Sequence, residues 1–232
     1  MNPAGYAAQT LIASAALNDP IELATDVVLL PGRAEASPIL SAVAAVVGLS
    51  PWRRMQVPGG GTMSVAMSNC GDLGWVSDAR GYRYQANDPL NNQRWPNMPE
   101  IFTRLANNSA AEAGFTGSGS ADELFNPDAC LLNAYRQAAK LSLHQDSNEQ
   151  DFSHPIVSVS LGASARFLIG GNRRSDPTTA VMLSHGDVLV WGRSARLMHH
   201  GVGVPRVRTA PNNLSPVPGD FLRINLTFRR AG

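Results

Sequence analysis

Lysine is nearly absent from this chain: of 19 basic residues only Lys140 is a lysine, and the rest are arginines. Charge is scarce at 16% of residues, aromatics make up 6%, and there are two cysteines, Cys70 and Cys130. Two cysteines so far apart in sequence exclude a disulfide-dense scaffold, would bridge only through an unusual coincidence of geometry, and point to a reducing compartment. No lysine or arginine precedes Arg33, so the basic region of a secretory signal is lacking. Long apolar runs are lacking too: the most apolar stretch, residues 39–49, falls far short of the roughly 20 residues a bilayer-spanning helix needs. These absences predict a soluble cytoplasmic protein with no membrane segment.

What is present is enough chain, 232 residues, for one large domain, or one domain with an added lobe, with its own core. The net charge of +1 hides a division: residues 1–129 carry 7 basic and 12 acidic side chains, and residues 130–232 carry 12 basic and 6 acidic. A polyanion would be drawn to the second half. The arginine excess fits phosphate recognition through planar forks, and fits a codon bias towards arginine equally well.

Residues 26–30 read as a short strand closed by Pro31-Gly32, residues 38–47 as a small apolar helix opened by Pro38, and residues 62–67 as a strand after the Pro58-Gly59-Gly60-Gly61 turn. Trp75, Tyr82, Tyr84 and Trp95 stand in a stretch rich in Gly, Asn, Asp and Pro, which reads as loop, a common carrier of recognition residues. Residues 99–114 read as a helix, with Glu100 in its first turn and Ile101, Phe102, Leu105 and Ala106 at helical spacing. A Gly/Ser stretch at 116–121 is a natural boundary. Beyond it, β-type runs follow one another without helices between them, at 129–135, 141–146, 156–161, 166–169, 180–183, 187–191, 196–199 and 221–229. That succession predicts a mainly β fold, a sandwich or barrel of antiparallel strands of the jelly-roll kind.

The chemistry is carried by His144-x-Asp146 and a distant His200. Two imidazoles and one carboxylate occupy one face of a ferrous ion and leave three positions for a cosubstrate and oxygen, whereas a structural zinc site closes its shell with four ligands, usually including thiolates. Residues two apart on a strand share a face, so His144 and Asp146 are expected to point together, as are Asn133 and Tyr135. His199 competes with His200, because only one of two adjacent strand residues faces inward. His154 and His185, beside Pro155 and Gly186, read as surface or turn residues. In the last strand Arg223, Asn225, Thr227 and Arg229 alternate with Leu222, Ile224, Leu226 and Phe228. Two guanidiniums on an inward polar face imply an anionic occupant such as a dicarboxylate. Their Cα atoms are roughly 20 Å apart, so they bracket one small acid only by converging. A solvated edge strand would show the same row, and a lone His-x-Asp arises often by chance; the co-occurrence favours the site.

Five stretches carry a resemblance: PGGGTMSVAMSNCGDLGW (58–75), NPDACLLNAYRQAAKLSLHQDSNE (126–149), PIVSVSLG (155–162), HGDVLVWG (185–192) and RINLTFR (223–229). Together, across residues 56–229, they resemble the AlkB family of iron(II)- and 2-oxoglutarate-dependent dioxygenases that repair alkylated nucleobases. The resemblance implies iron ligation and catalysis at His144, Asp146 and His200. It implies 2-oxoglutarate binding at Asn133, Tyr135, Arg223, Asn225 and Arg229, with Arg223 meeting the distal carboxylate. Trp75 would stack on the damaged base opposite the His144 ring, and Tyr82, Tyr84 and Arg174 would contact the nucleotide, its phosphates or the pocket wall. The implied fold is a double-stranded β-helix with flanking helices: residues 1–121 form an N-terminal extension, helices and nucleotide-recognition lid, and residues 122–232 the catalytic core, in one integrated domain and a monomer. The implied reaction consumes oxygen and 2-oxoglutarate to demethylate bases such as 1-methyladenine and 3-methylcytosine in single-stranded or flipped-base DNA, or in RNA, releasing formaldehyde, succinate and CO2.

One departure stands out. Asn148 occupies a position that is acidic in bacterial members of the family, and an amide accepts a hydrogen bond without supplying charge; as a further substrate-binding residue it is expected to alter the order of preferred lesions. Two alternatives stay open: an oxygenase of the same superfamily acting on RNA or protein, and a non-catalytic cupin-like metal-binding module.

Overall fold

The computed structural model describes residues 19–115, 125–209 and 214–232. The Gly/Ser stretch at 116–121 and the boundary after residue 121 lie outside the described residues. The chain opens with a hairpin of β1 (Ile21–Ala24) and β2 (Val27–Leu30), then α1 (Ala36–Leu49), β3 (Ala66–Gly71), a second hairpin of β4 (Gly74–Asp78) and β5 (Gly81–Gln85), and α2 (Glu100–Glu112). The β-rich half contributes β6 (Ala129–Tyr135), β7 (Leu141–His144), β8 (Ile156–Gly162), β9 (Ala165–Ile169), β10 (Thr179–Leu183), β11 (Val188–Trp191), β12 (His200–Val202) and β13 (Arg223–Arg229).

These strands pair antiparallel in a seven-stranded sheet of order β1-β2-β11-β8-β13-β6-β3 and a four-stranded sheet of order β10-β9-β12-β7. The central strands of the large sheet are buried on both faces, and their alternation sorts two environments. Leu132 of β6, Val157 and Val159 of β8, Val190 of β11 and Leu226 and Phe228 of β13 join one core with Val43 and Val46 of α1 and Phe102 and Ala106 of α2. The opposite face turns Leu131, Asn133, Asn225, Thr227 and Arg229 towards a cavity shared with the small sheet. Helices on one face and a second sheet on the other make the jelly roll, and strands from before residue 121 belong to the same large sheet. Among the described residues no helix is long and apolar enough to cross a membrane.

Four local expectations are corrected. Trp75, Tyr82 and Tyr84 lie on the β4–β5 hairpin and not in a loop. Gly81 at φ +105 supplies its tight turn, and Arg83 binds Asp78 at 2.9 Å across it; the polar turn residues disguised the strand pattern. Thr62 forms an isolated bridge to Gln56 over the glycine turn, so the strand starts only at Ala66. β7 stops at His144, leaving Asp146 beyond the strand. In place of a strand at 196–199 there is a 3-10 turn, Arg193–Ala195, continued by Met198 N–H to Ala195 O at 3.0 Å; the strand begins at His200. The Arg196 side chain is pulled inward from that turn to His154 O and Asp146 O. Cys70 and Cys130, distant in sequence, are direct cross-strand partners and both are buried free thiols.

Candidate active site

His144 ends β7 and His200 begins β12, and the two residues are register partners across the small sheet. Their rings lie 4.4 Å apart, centroid to centroid. Asp146, two residues past His144, swings back so that Oδ1 is 4.0 Å from His144 Nε2 and Oδ2 is 3.5 Å from His200 Nε2. One donor atom from each of the three residues falls within 4.8 Å of the others, a group that could hold a metal ion. Each Nδ1 lies against a backbone carbonyl, Ser142 O at 2.8 Å and Met198 O at 3.2 Å. A carbonyl can only accept, so Nδ1 carries the proton and Nε2 keeps its lone pair for a ligand.

The charges favour the same role. Burial and the neighbouring His144 push His200 down to about 4, so its ring is neutral at pH 7. Burial alone would raise the Asp146 carboxyl, but Arg229, His200 and His144 outweigh it and hold the group well below the usual carboxylate range. Arg229 donates to Asp146 Oδ2 at 2.7 Å and pairs with Glu149 at 3.2 Å. Glu149 also accepts from the Tyr84 hydroxyl at 3.0 Å and lies 3.5 Å from Arg196. This buried Tyr84–Glu149–Arg196–Arg229 network was not foreseen. Glu149 sits at the end of the HQDSNE motif, whereas Arg196 gave no sequence signal.

The three metal-capable residues open onto a cavity of about 620 Å³ whose walls include Trp75, Tyr82, Asn133, Tyr135, Asn148, Arg174, Asn225 and Arg229. Trp75 stacks on Tyr82 at 5.6 Å, and its indole N–H donates to Asn148 Oδ1 at 3.1 Å. Arg174 is tied to Leu143 O beside the triplet. Two expected site residues do not reach that wall: Tyr84 turns its hydroxyl to Glu149, and Arg223 donates to Ala163 O at 3.0 Å and Ser160 Oγ at 2.6 Å. Arg223 is nonetheless the register partner of Tyr135 at one end of the cavity floor. The two arginines of β13 hold different protein partners, Ala163 and Ser160 for Arg223 and Asp146 for Arg229.

Residues 26–229 match the 2OG-Fe(II) oxygenase superfamily. The alpha-ketoglutarate-dependent dioxygenase AlkB of Salmonella typhimurium is 47% identical over 196 residues, 84% of this chain and 85% of that protein. The chain belongs to the AlkB family of this superfamily. It is an iron(II)- and 2-oxoglutarate-dependent dioxygenase. More distant AlkB-family likenesses include the solved structure of OsALKBH1, at TM-score 0.76 and 29% identity over 91% of this chain and 99% of that one. The DNA N(6)-methyladenine demethylase ALKBH1C of Arabidopsis thaliana is 34% identical over 174 residues, 68% of this chain and 38% of that protein.

The cavity suits the family's cofactors on its own geometry. Two imidazole donors and one carboxylate on one side leave room for further ligands, as an AlkB-family iron requires. Beside them the buried Asn133 Oδ1, the Tyr135 hydroxyl and Arg223 Nε have no partner within the protein. Buried polar groups are normally satisfied, and the Tyr135 hydroxyl and Arg223 Nε are donors that a carboxylate oxygen would accept from.

Proposed function

We propose that this protein removes N-linked methyl groups from nucleobases by oxidation, with His144, Asp146 and His200 holding iron(II) and Asn133, Tyr135, Arg223, Asn225 and Arg229 holding 2-oxoglutarate. The observation that carries the proposal is the juxtaposition of an open three-donor triplet with unsatisfied buried polar atoms, under a rim of aromatic and cationic side chains. When bound, the iron with 2-oxoglutarate and oxygen supplies the oxidation that turns N–CH3 into N–CH2OH, while the cosubstrate becomes succinate and CO2. The hydroxymethyl amine then loses formaldehyde and returns N–H to the base.

The protein's part is positional. Arg229 fixes the Asp146 carboxylate, and the Ser142 and Met198 carbonyls fix the two imidazoles. The β4–β5 hairpin acts as the nucleotide-recognition lid and brings Trp75 to the base, a stacking partner worth roughly 1 to 3 kcal/mol. A methyl on the pairing edge is reachable only in a single strand or a flipped nucleotide, so single-stranded DNA is the preferred substrate and RNA a second one. The unpaired thiols of Cys70 and Cys130, directly opposed across β3 and β6, support a reducing, cytoplasmic setting.

The experiment is mass spectrometry of a single-stranded oligonucleotide carrying 1-methyladenine after incubation with the protein, ferrous iron, ascorbate and 2-oxoglutarate. Loss of one methylene mass is expected. Succinate release that requires RNA or a peptide would move the activity to another substrate class.

A further inference from the structure

We propose that a second cavity, behind the strands that floor the active site, seats a neighbouring nucleotide of the substrate strand, with its phosphate between Arg54 and Arg136 and its base against Trp52 and Phe221. This rests on the reading of the enzyme as a nucleic-acid demethylase.

The cavity measures about 400 Å³, within the range of small-molecule sites. Asn133 and Tyr135 of β6 face the first cavity, and the residue between them, Ala134, faces the second. Ala66, the register partner of Ala134, lines it as well, so methyl groups leave the floor open. Trp52 and Phe221 meet edge to face at 5.5 Å and form an angled aromatic wall. The Trp52 indole N–H is shielded from solvent without a partner, a donor of the kind a base edge or phosphate oxygen would satisfy.

The charges select an anion. Arg53 is neutralised by Asp88 at 2.7 Å, but among the described residues neither Arg54 nor Arg136 has a carboxylate partner, and both are exposed. Arg54 is tethered by Nε to Met63 O at 2.7 Å, and Arg136 lies 5.5 Å over the Phe221 ring. Aromatic ring faces beside two guanidinium forks that lack carboxylate partners among the described residues match the two halves of a nucleotide. The site is continuous with the first: Ser64 lines both cavities, its hydroxyl donates to Lys140 O at 2.9 Å, and Lys140 lines the first. A strand whose lesion enters the active site can therefore run over Lys140 and Ser64 into the second cavity.

The test compares Arg54→Ala/Arg136→Ala with wild type on a lesion-bearing mononucleotide, which has no neighbour to place in the second cavity, and on a strand of roughly 15 nucleotides. The expected result is a KM raised roughly fivefold on the longer strand, with little change on the mononucleotide. In parallel, fluorescence anisotropy of an unmodified single strand against salt should show the slope of log K on log salt shrinking by about 0.7 per lost arginine. Thermal denaturation verifies that the variant is folded, and Arg54→Glu/Arg136→Glu should enlarge both effects. An unchanged salt slope, or a KM rise equal on both lengths, overturns the second site. If wild type demethylates no oligonucleotide while the slope still shrinks, the second site stands and the demethylase reading fails.

Discussion

Arg229 Nη2 donates to Asp146 Oδ2 at 2.7 Å, tying the last strand of the large sheet to the carboxylate that faces both site histidines. The guanidinium expected to grip a cosubstrate acid lines the cavity and also orients a candidate metal ligand. Groups in that position typically tune metal affinity by 10–100-fold.

Arg229→Gln should weaken iron(II) binding by roughly tenfold or more. It should also lower stability by about 3 kcal/mol, because Glu149 and Asp146 stay buried with one cation fewer. Anaerobic calorimetry and thermal denaturation read the two effects. Unaltered iron affinity would show that the arginine serves another purpose.

The Tyr84 hydroxyl reaches Glu149 from the β4–β5 hairpin and links the proposed lid to the same ionic network. Tyr84→Phe and Glu149→Gln should each destabilise the protein by about 1 to 3 kcal/mol. Their double-mutant cycle should return a coupling of at least about 0.5 kcal/mol. Simple additivity would mean that the lid and the metal centre are not joined through this bond.

Asn148 accepts from the Trp75 indole at 3.1 Å, so it both places the stacking residue and presents a neutral group to the cavity. Asn148→Asp keeps an acceptor and adds a charge, and is expected to raise kcat/KM for the cationic 1-methyladenine relative to a neutral lesion. Asn148→Leu should lower kcat/KM for both by freeing Trp75. An unshifted lesion ratio in the Asp variant removes the residue from substrate selection.

Gly162 holds φ +94 where β8 meets Arg223 of β13, and a Cβ there would sit 2.4 Å from Leu222 O. Gly162→Ala should therefore cost about 2 to 4 kcal/mol through strain and backbone displacement. Its position beside Arg223 adds a second readout, a raised KM for 2-oxoglutarate. A thermal midpoint equal to wild type would contradict this placement.

Asp26, at φ 60 in the β1–β2 turn, accepts from Ser194 Oγ at 2.6 Å. The Ser194 hydroxyl chiefly holds its carboxyl below the ordinary value of 3.8, against a weaker opposing effect of burial. The unfolded chain then binds the proton more readily than the folded one, so the stabilisation is present above about pH 4 and is lost as pH falls through the depressed folded value. The gap in thermal midpoint between wild type and Asp26→Asn should narrow as pH drops from about 5 to about 3. A constant gap would leave no role for ionisation.

The sequence by itself determined the β-rich architecture, both helices and the alternation of β6, β8 and β13, because period-two patterning records which face of a strand is buried. Its motifs also identified the family and named the triplet. It misplaced the Trp75–Tyr84 hairpin, whose turn residues mask its strands, and the segment before His200, where an inward-drawn Arg196 favours a 3-10 turn. Only the tertiary structure brought Cys70 opposite Cys130, committed Arg229 to Asp146, buried Glu149 between two arginines and opened a cavity behind Ala134. Each of these depends on contacts between residues far apart in the chain, and local patterning carries no information about which distant partner a side chain will meet.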